Sequence, residues 1–316
     1  MATKLVETGV QYPNGTIRTT ARWQARAIFG FGSPSTAVYV NTINAVNSYG
    51  NVTTDTTGAG TARQYLAAAG YGGDRVIFGY GQVSGASVTG VTNLVSNLGV
   101  VAGDVSGVGT ARFALAAATY DYDKAIFGYG NNTGGAGTYV SMTNRVSNVG
   151  VVQGDITGVG TARQILAAAG YGGDKAIFGY GNSGSLVSIT NLVTNYGTVG
   201  SDVTGVGTTR GDLAAASYGG DKAIFGYGFF GGLRNMTNLV SNTGVVSSDV
   251  TGVGTSRGGL AAAGYGGNKA IFGYGDGPTG SSVSMTNLVS STGVVSADVT
   301  GVGTARRYLA ASSIGS

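Results

Sequence analysis

The sequence has no cysteine and no histidine among its 316 residues, and only three prolines. Without them the chain has no disulfides, no thiol nucleophile, no histidine base and no zinc site of the usual kind. Charge is also scarce: 10% of residues are charged, the net charge is +4, and no run of Lys or Arg resembles a nucleic-acid patch. We therefore expect no enzyme, and so no catalytic residues, together with no metal, no cofactor and no nucleic-acid partner.

Long apolar runs are missing as well. No window of about 18 apolar residues exists, so we expect no membrane insertion. The stretch from Met1 to Ile17 lacks the apolar core of a secretory signal peptide. We therefore expect a protein that is made in a cytoplasm and is not exported by an encoded signal.

Glycine, in contrast, is abundant, with 60 residues, and 42% of the chain is hydrophobic. A disordered chain shows the reverse balance of charge and hydrophobicity. Collagen is excluded because the glycines follow no three-residue period. The composition favours an all-β protein with many tight turns, in which glycine supplies positive φ angles.

One short pattern recurs through most of the chain. Its core, a hydrophobic residue followed by Ile-Phe-Gly-aromatic-Gly, begins at Ala27, Val76, Ala125, Ala176, Ala223 and Ala270, so the spacings are 49, 49, 51, 47 and 47 residues. A period of this size is typical of repeat architectures. One copy divides into four strand-length pieces that are separated by turns, and this pattern predicts an antiparallel propeller blade. Both faces of the Lys175–Tyr180 strand are apolar, as expected of a blade between two neighbours.

The two ends of the chain predict how the blades are arranged. Each later copy begins with Arg-x-x-Leu-Ala-Ala, but the first copy lacks this piece, which appears instead at residues 306–311. A linear solenoid would need polar caps at both ends, whereas a closed ring uses the displaced piece. We predict a six-bladed β-propeller of four-stranded antiparallel blades over residues 22–316, closed by pairing of the C-terminal strand with the first repeat strand. Residues 1–21 are predicted to form an N-terminal attachment arm.

Two resemblances add to this interpretation. Arg163, the run Leu166–Ala169 and the strand Ala176–Gly181 follow the order seen in kelch repeats, which they resemble. Gly-aromatic-Gly replaces the kelch Gly-Gly and the later kelch Tyr and Trp positions are absent, so the resemblance implies four-stranded blades but not the partners of cellular kelch proteins. Residues 9–21, GVQYPNGTIRTTA, resemble the opening of phage tail-fibre and related virion proteins. That second resemblance implies a particle-attached protein.

Acidic and basic residues recur at the joints between copies. In each copy an Asp precedes an Arg by eight residues, and we interpret the two as an inter-blade structural pair, the alternative being a ring that binds anions or glycans. The pairs are Asp55 and Arg63, Asp104 and Arg112, Asp155 and Arg163, Asp202 and Arg210, Asp249 and Arg257, and Asp298 and Arg306. An Asn in each third strand is expected to satisfy backbone groups, with sugar binding as its alternative.

Binding residues are expected where the copies differ, between the second and third strands. Scaffolds commonly carry binding on variable loops, and these segments hold the candidate ligand or partner residues Tyr139, Phe229, Phe230, Arg234 and Asp276. Exposed Phe229 and Phe230 would anchor a partner or a sugar face; alternatively, they tuck over the adjacent blade.

Together these observations predict a non-enzymatic phage virion structural protein of the tail-fibre, adhesin or decoration type, located on the virion. The arm would attach it to other virion proteins, and the ring would bind a host-surface glycan or protein, or a neighbouring virion protein. The alternative is a carbohydrate-binding, lectin-like propeller.

Overall fold

The computed structural model describes residues 26–133 and 138–315, together with three short strands near the N-terminus. These strands, Lys4–Val6, Gly9–Gln11 and Ile17–Arg18, form a separate three-stranded antiparallel sheet. The turn predicted at residues 12–16 and the predicted boundary between residues 21 and 22 lie outside the described residues.

From residue 26 onward, the described residues form six antiparallel sheets, one for each copy of the repeat, which we number 1 to 6. The inner strands of sheets 1 to 6 are Ala310–Ser313, Ala67–Tyr71, Ala116–Tyr120, Ala167–Tyr171, Ala214–Tyr218 and Ala261–Tyr265. The middle strands are Ala27–Gly30, Arg75–Gly79, Lys124–Gly128, Lys175–Gly179, Lys222–Phe229 and Lys269–Gly273. The third strands are Thr42–Val46, Thr92–Val95, Thr143–Val146, Thr190–Val193, Leu233–Val240 and Thr286–Val289.

Helix is almost absent from this part of the chain. It is limited, over the described residues, to one 3-10 turn at Ser84–Ala86. No helix in the described ranges is long and apolar enough to cross a membrane. The prediction of an all-β chain is confirmed.

Each sheet is a meander whose faces are both covered by protein. In sheet 4, Gly172 and Gly173 take φ angles of 64° and 81° and turn the inner strand back into the middle strand. Ala176, Ile177 and Phe178 of the middle strand are fully buried although they point to alternate faces. A Cβ atom on Gly179 would lie 2.7 Å from the ring of Phe225 in the next sheet. The small residue is therefore needed for close packing between sheets.

Aromatic pairs join every sheet to the next around a complete circle. In each pair the ring centroids lie 5.1–5.2 Å apart. The pairs from sheet 1 onward are Phe31 with Phe78, Tyr80 with Phe127, Tyr129 with Phe178, Tyr180 with Phe225, Tyr227 with Phe272, and Tyr274 with Phe29. Because the last pair returns to sheet 1, the packing between sheets has no free end. This arrangement is consistent with a β-propeller-like fold.

Sheet 1 is assembled from the two ends of the repeat region. Ala310–Ser313 pairs antiparallel with Ala27–Gly30, so the pairing predicted from the displaced Leu-Ala-Ala piece is present. The same segment also contacts the inner strands of sheets 2 and 6. The inner strands thus surround a common axis, along which lies a cavity of about 320 Å³ lined mainly by Ala and Gly, with five Tyr and three Ser.

The prediction of four strands in each blade is wrong. Sheets 2 to 6 have three strands, and only sheet 1 adds a fourth among the described residues, Thr56–Thr57. In sheet 2 the fourth segment touches the third strand through single bridges, Thr92 to Val105 and Val95 to Val101. Between these bridges the side chain of Asn93 donates to the carbonyl of Ala102. A side chain therefore replaces part of the backbone ladder between the two bridges.

Candidate functional site

The two ends of the axis differ in what they present to solvent. At one end, the loop face, the Arg-x-x-Leu segments enter the inner strands and the variable segments leave the middle strands. At the other end, the turn face, tight hairpins such as Gly172–Gly173 join the inner and middle strands. The joints and every candidate binding residue from the sequence lie toward the loop face.

Each joint is organised around a fully buried arginine. Arg163 donates from Nε to the carbonyl of Tyr180 at 2.8 Å, from Nη1 to the carbonyl of Thr161 at 3.0 Å, and from Nη2 to Oδ1 of Asn191 at 2.7 Å. Its guanidinium lies 4.3 Å from the ring centroid of Tyr129 in the preceding sheet. Burial lowers the pKa of Arg163, and Tyr129 and Asp202 oppose that shift. The hydrogen bonds hold one sheet together, and the stacking joins it to its neighbour.

The arrangement recurs with small differences. Arg63, Arg210 and Arg306 make the same three hydrogen bonds. Arg257 instead reaches the carbonyl of Tyr274 through Nη1, and the Nε of Arg112 has no hydrogen-bond partner in the described residues. All six guanidinium groups are buried in these joints, so they make their hydrogen bonds to protein groups and are not available to a ligand.

A carboxylate fixes the loop that leads into each joint. Asp202 accepts hydrogen bonds from the backbone and hydroxyl groups of Thr161 and from the side-chain amide of Asn191. Partial burial raises the pKa of Asp202, but these hydrogen bonds outweigh it and hold the pKa below its ordinary value. The carboxylate therefore acts as a turn cap with little capacity left for a ligand.

The Asp–Arg partners differ from those inferred by sequence proximity. The ion pairs are Arg112 with Asp155 at 3.9 Å, Arg163 with Asp202 at 4.0 Å and Arg210 with Asp249 at 3.8 Å. Asp155 and Arg163, eight residues apart, belong to sheets 3 and 4, because the eight-residue segment carries the chain from one sheet to the next. The ion pairs therefore lie within a sheet, and the contact between sheets is the stacking of arginine on an aromatic ring.

A circle of backbone hydrogen bonds surrounds the axis at the loop face. In each sheet, the residue two positions after the joint arginine donates its N–H to the corresponding carbonyl of the preceding sheet, at 2.7–3.0 Å. All six residues have φ angles between 48° and 60°. We call them the axial residues: Tyr308, Tyr65, Ala114, Ile165, Asp212 and Gly259 in sheets 1 to 6.

The axial residues and the leucines that follow them line a small cavity of about 80 Å³, which we call the mouth. Tyr65 and Tyr308 stack there with their ring centroids 3.9 Å apart. Asp212 lines the same cavity, and burial together with the nearby charge of Asp276 raises the pKa of Asp212 to about 7. Arg307 lies 5.3 Å from the ring of Tyr308 and forms a 2.9 Å ion pair with Asp276. The aromatic and charged side chains of the mouth therefore come from sheets 1, 2 and 5, and not from sheets 3 and 4 on the other side of the axis.

Sheet 5 carries the most prominent variable segment. Its middle and third strands, Lys222–Phe229 and Leu233–Val240, are eight residues long, whereas their counterparts have four or five. Pairing continues through Phe229 and Leu233, so the segment is a β-ribbon with Phe230, Gly231 and Gly232 at its tip. Phe229 and Phe230 are 46% and 42% exposed. We call Phe229–Arg234 the ribbon tip.

The other candidate binding residues lie elsewhere. Arg234 belongs to the ribbon tip, where its Nη2 donates to the carbonyl of Phe230 at 2.7 Å. Asp276 lies beside the mouth and is occupied by Arg307. Tyr139 pairs with Asn131 in sheet 3, two sheets away from the ribbon, in a segment whose residues 134–137 lie outside the described part of the chain. Hence these residues do not form one site.

The residues of the mouth were not among the candidates predicted from the sequence. Tyr65, Asp212, Arg307 and Tyr308 occupy the two variable positions of the Arg-x-x-Leu pattern. A signal was present, since these positions differ from copy to copy inside an otherwise constant motif. They meet because the axial segments of all six sheets surround one cavity.

Comparison with models of known protein families finds no match to this chain, and comparison with curated proteins finds none either. Within the described ranges, no three or more acidic side chains are grouped in a way that could hold a metal ion.

Proposed function

We propose that this chain is a non-enzymatic binding protein of a phage virion, built as a closed six-bladed propeller that contacts its partner through the ribbon tip of sheet 5. The N-terminal segment attaches it to other virion proteins. The partner is a host-surface molecule or a neighbouring virion protein. The exposed aromatic pair Phe229 and Phe230 is the observation that carries this proposal.

The closed propeller is supported by three features of the described residues. Aromatic pairs link all six sheets in a circle. Backbone hydrogen bonds of the axial residues form a second circle. The strand from the far end of the chain completes sheet 1. Together they describe six blades: sheets 2 to 6 have three strands and a fourth edge segment joined by single bridges, and sheet 1 has four strands.

The ribbon tip has the properties of a binding anchor. Two adjacent phenylalanines are partly exposed on a paired ribbon, whose strands continue those of a buried sheet. Aromatic side chains provide large contact areas at low entropic cost and dominate many interfaces. Arg234 donates a hydrogen bond to the backbone carbonyl of Phe230, and its guanidinium places a positive charge beside the Phe230 ring. A rigid scaffold that carries one variable projection is a common solution for recognition.

The acidic groups of the joints support a role other than hydrolysis. Hydrolysis by paired carboxylates requires one group to act as an acid and another as a base or nucleophile. The joint carboxylates instead accept hydrogen bonds from a Thr and an Asn in every sheet, with Asp202 as an example. The assignment to a virion is supported by the resemblance of residues 9–21 to tail-fibre openings, part of which forms the separate N-terminal sheet.

The assignment of the protein to a virion can be tested on intact particles from its source. Antibodies raised against the purified chain should label particles in electron micrographs, and the label should co-purify with infectivity. Absence of the chain from purified particles would contradict the virion assignment.

The binding role is tested with a ribbon variant, Phe229→Ser combined with Phe230→Ser. We expect this variant to lose binding to host cells or to purified particle proteins while its melting temperature stays unchanged. Tyr196→Ser is the matched control because Tyr196 is exposed on the turn face. Equal binding by the ribbon variant and the wild type would overturn the assignment of the ribbon tip. Competition by free sugars would identify the host partner as a glycan.

A further inference from the structure

The mouth holds a carboxylate without a partner. No hydrogen bond to the side chain of Asp212 is made by any described residue, and Asp212 is among the residues that line a cavity with apolar and aromatic walls. We propose that the mouth is a binding site for a primary ammonium group at the end of an unbranched alkyl chain, as in a lysine side chain, with Asp212 as its counter-ion. This site is separate from the ribbon tip.

The backbone of the mouth offers little to a ligand. Each axial N–H is bonded to an axial carbonyl of the neighbouring sheet, so these donors and acceptors are already paired with one another. Side chains therefore decide what the cavity accepts. Of the six axial side chains, that of Asp212 is the one that can carry a full negative charge near neutral pH.

The charges around the mouth leave one carboxylate uncompensated. Two carboxylates, Asp212 and Asp276, face one cation, Arg307. Arg307 is bonded to Asp276 at 2.9 Å, with a longer contact to the hydroxyl of Thr36. When Asp212 is ionised, a cation is the ligand that restores neutrality.

Aromatic and aliphatic walls complete the site. A Cβ atom on Gly259 would lie 2.6 Å from the ring of Tyr308, so that ring lies against Gly259. Gly259 lies between Asp212 and Tyr308 in the axial circle, which brings an aromatic surface toward the carboxylate. Ammonium groups bind favourably near aromatic faces. Ile165 and the leucines of the lining can surround methylene groups.

The size of the mouth limits the ligand further. A protein cavity of about 150 Å³ can hold a benzene ring of six carbon atoms, so a cavity of about 80 Å³ holds roughly three heavy atoms. That space suits an ammonium group and its first methylenes. A sugar ring is larger than this. The geometry therefore favours the end of an alkylammonium chain over an amino sugar.

The protonation state of Asp212 makes the site sensitive to pH. Burial and the nearby Asp276 raise the pKa of Asp212 to about 7. Burial also raises the pKa of Tyr65 and Tyr308, so both phenols stay neutral, and Arg307 stays charged. Asp212 thus titrates near neutrality. We expect ligand affinity to fall as the pH drops below about 7.

The test uses the full chain and n-butylammonium as the probe, followed by NMR or calorimetry at about pH 8. We expect saturable binding with a dissociation constant in the millimolar range. Asp212→Asn should weaken it by roughly 10- to 100-fold, which is typical for loss of a charged partner. Asp74→Asn, a change of an exposed carboxylate in a turn-face hairpin, is the matched control and should leave affinity unchanged.

A second variant tests the cavity itself. Ala114→Ile should block the mouth without unfolding the protein, because Ile165 already occupies the equivalent axial position with φ 48° against 54° for Ala114. We expect loss of butylammonium binding by a protein that remains folded, with a melting temperature lowered by a few degrees at most, since a β-branched residue at positive φ is strained. The proposal is overturned if the wild type shows no saturation by about 100 mM probe. Equal binding by Asp212→Asn, or stronger binding of glucosamine or tetramethylammonium than of butylammonium, would also overturn it. None of these results depends on whether the ribbon tip binds a host.

Discussion

The joints and the mouth are built in opposite ways. At the joints one set of side chains recurs: a buried Arg, an Asn, a Thr and an Asp, joined by the same hydrogen bonds in most sheets. At the mouth one backbone conformation recurs, with φ between 48° and 60°, but the side chains range from Gly to Tyr. Both regions have six members and lie within a few residues of each other along the chain.

The difference shows which atoms hold the sheets together in each region. At the joints side chains form the contacts, so a joint residue cannot change without loss of several hydrogen bonds. At the mouth the backbone forms them, through the circle of axial hydrogen bonds. Its side chains are therefore free to differ, and this freedom allows Asp212 to remain without a partner. The constant joint arginine and the variable axial residue are therefore only two positions apart in the Arg-x-x-Leu pattern.

The largest expected effect comes from removing a joint arginine. Arg163→Ala should lower the free energy of unfolding by ~3–5 kcal/mol, because Asn191 and the carbonyl of Tyr180 lose a buried charged donor. Denaturant unfolding measures the change. Lys175→Ala is the control, since Lys175 lies on the exposed turn face and should leave the unfolding midpoint unchanged. An unchanged midpoint for Arg163→Ala would contradict the role given to the joints.

A smaller effect is expected from adding one methyl group at a joint. Gly160 has φ 74°, and its added Cβ would lie 2.3 Å from Oδ1 of Asp202. Gly160→Ala should therefore destabilise the protein by about 1–3 kcal/mol. The corresponding experiment at the mouth is Ala114→Gly. It should change stability by less than about 1 kcal/mol, because relief of strain at a positive φ offsets the larger conformational entropy that glycine loses on folding. Similar losses at both sites would remove the distinction between joint and mouth.

The smallest effect is expected at Asp212 and depends on pH. Because the pKa of Asp212 is raised to about 7 in the folded protein, ionisation opposes folding, and stability falls as the pH rises toward and through 7. Asp212→Asn should stabilise the ligand-free protein by on the order of 1 kcal/mol at about pH 8, since solvent reaches part of the side chain. At about pH 4 the variant and the wild type should melt together. A gain of equal size at both pH values would show that charge is not its cause.

Much of the fold could be predicted because the spacing of repeated residues along the chain indicates it. The recurrence of Ile-Phe-Gly-aromatic-Gly and the displaced Leu-Ala-Ala piece predicted six sheets and the pairing of Ala310–Ser313 with Ala27–Gly30. The fourth strand was predicted wrongly, because nothing in the local pattern of residues 101–105 shows that Asn93 will replace backbone pairing. Hydrophobic alternation predicts strands, but it does not reveal a side chain inserted between them.

The sites were harder to predict because they depend on which sheets meet. Spacing suggested that Asp155 binds Arg163, whereas Asp155 binds Arg112, which is 43 residues away but in the same sheet. The sequence left two alternatives open for Phe229 and Phe230, exposure or packing over the adjacent blade, and the structure shows both partly exposed. The mouth was not predicted, because sequence spacing does not show which residues beside the inner strands line one cavity, as Asp212 and Tyr308 do.

The circle of axial hydrogen bonds has a consequence for the electric field at this end of the molecule. Every link runs in the same direction, N–H to carbonyl, from one sheet to the preceding one. Peptide dipoles arranged head to tail along a helix add up to a positive and a negative pole. Around a closed circle, the components along the links cancel. The mouth therefore lacks the positive pole that draws anions to a helix N-terminus, and the charges of Asp212, Asp276 and Arg307 govern its potential.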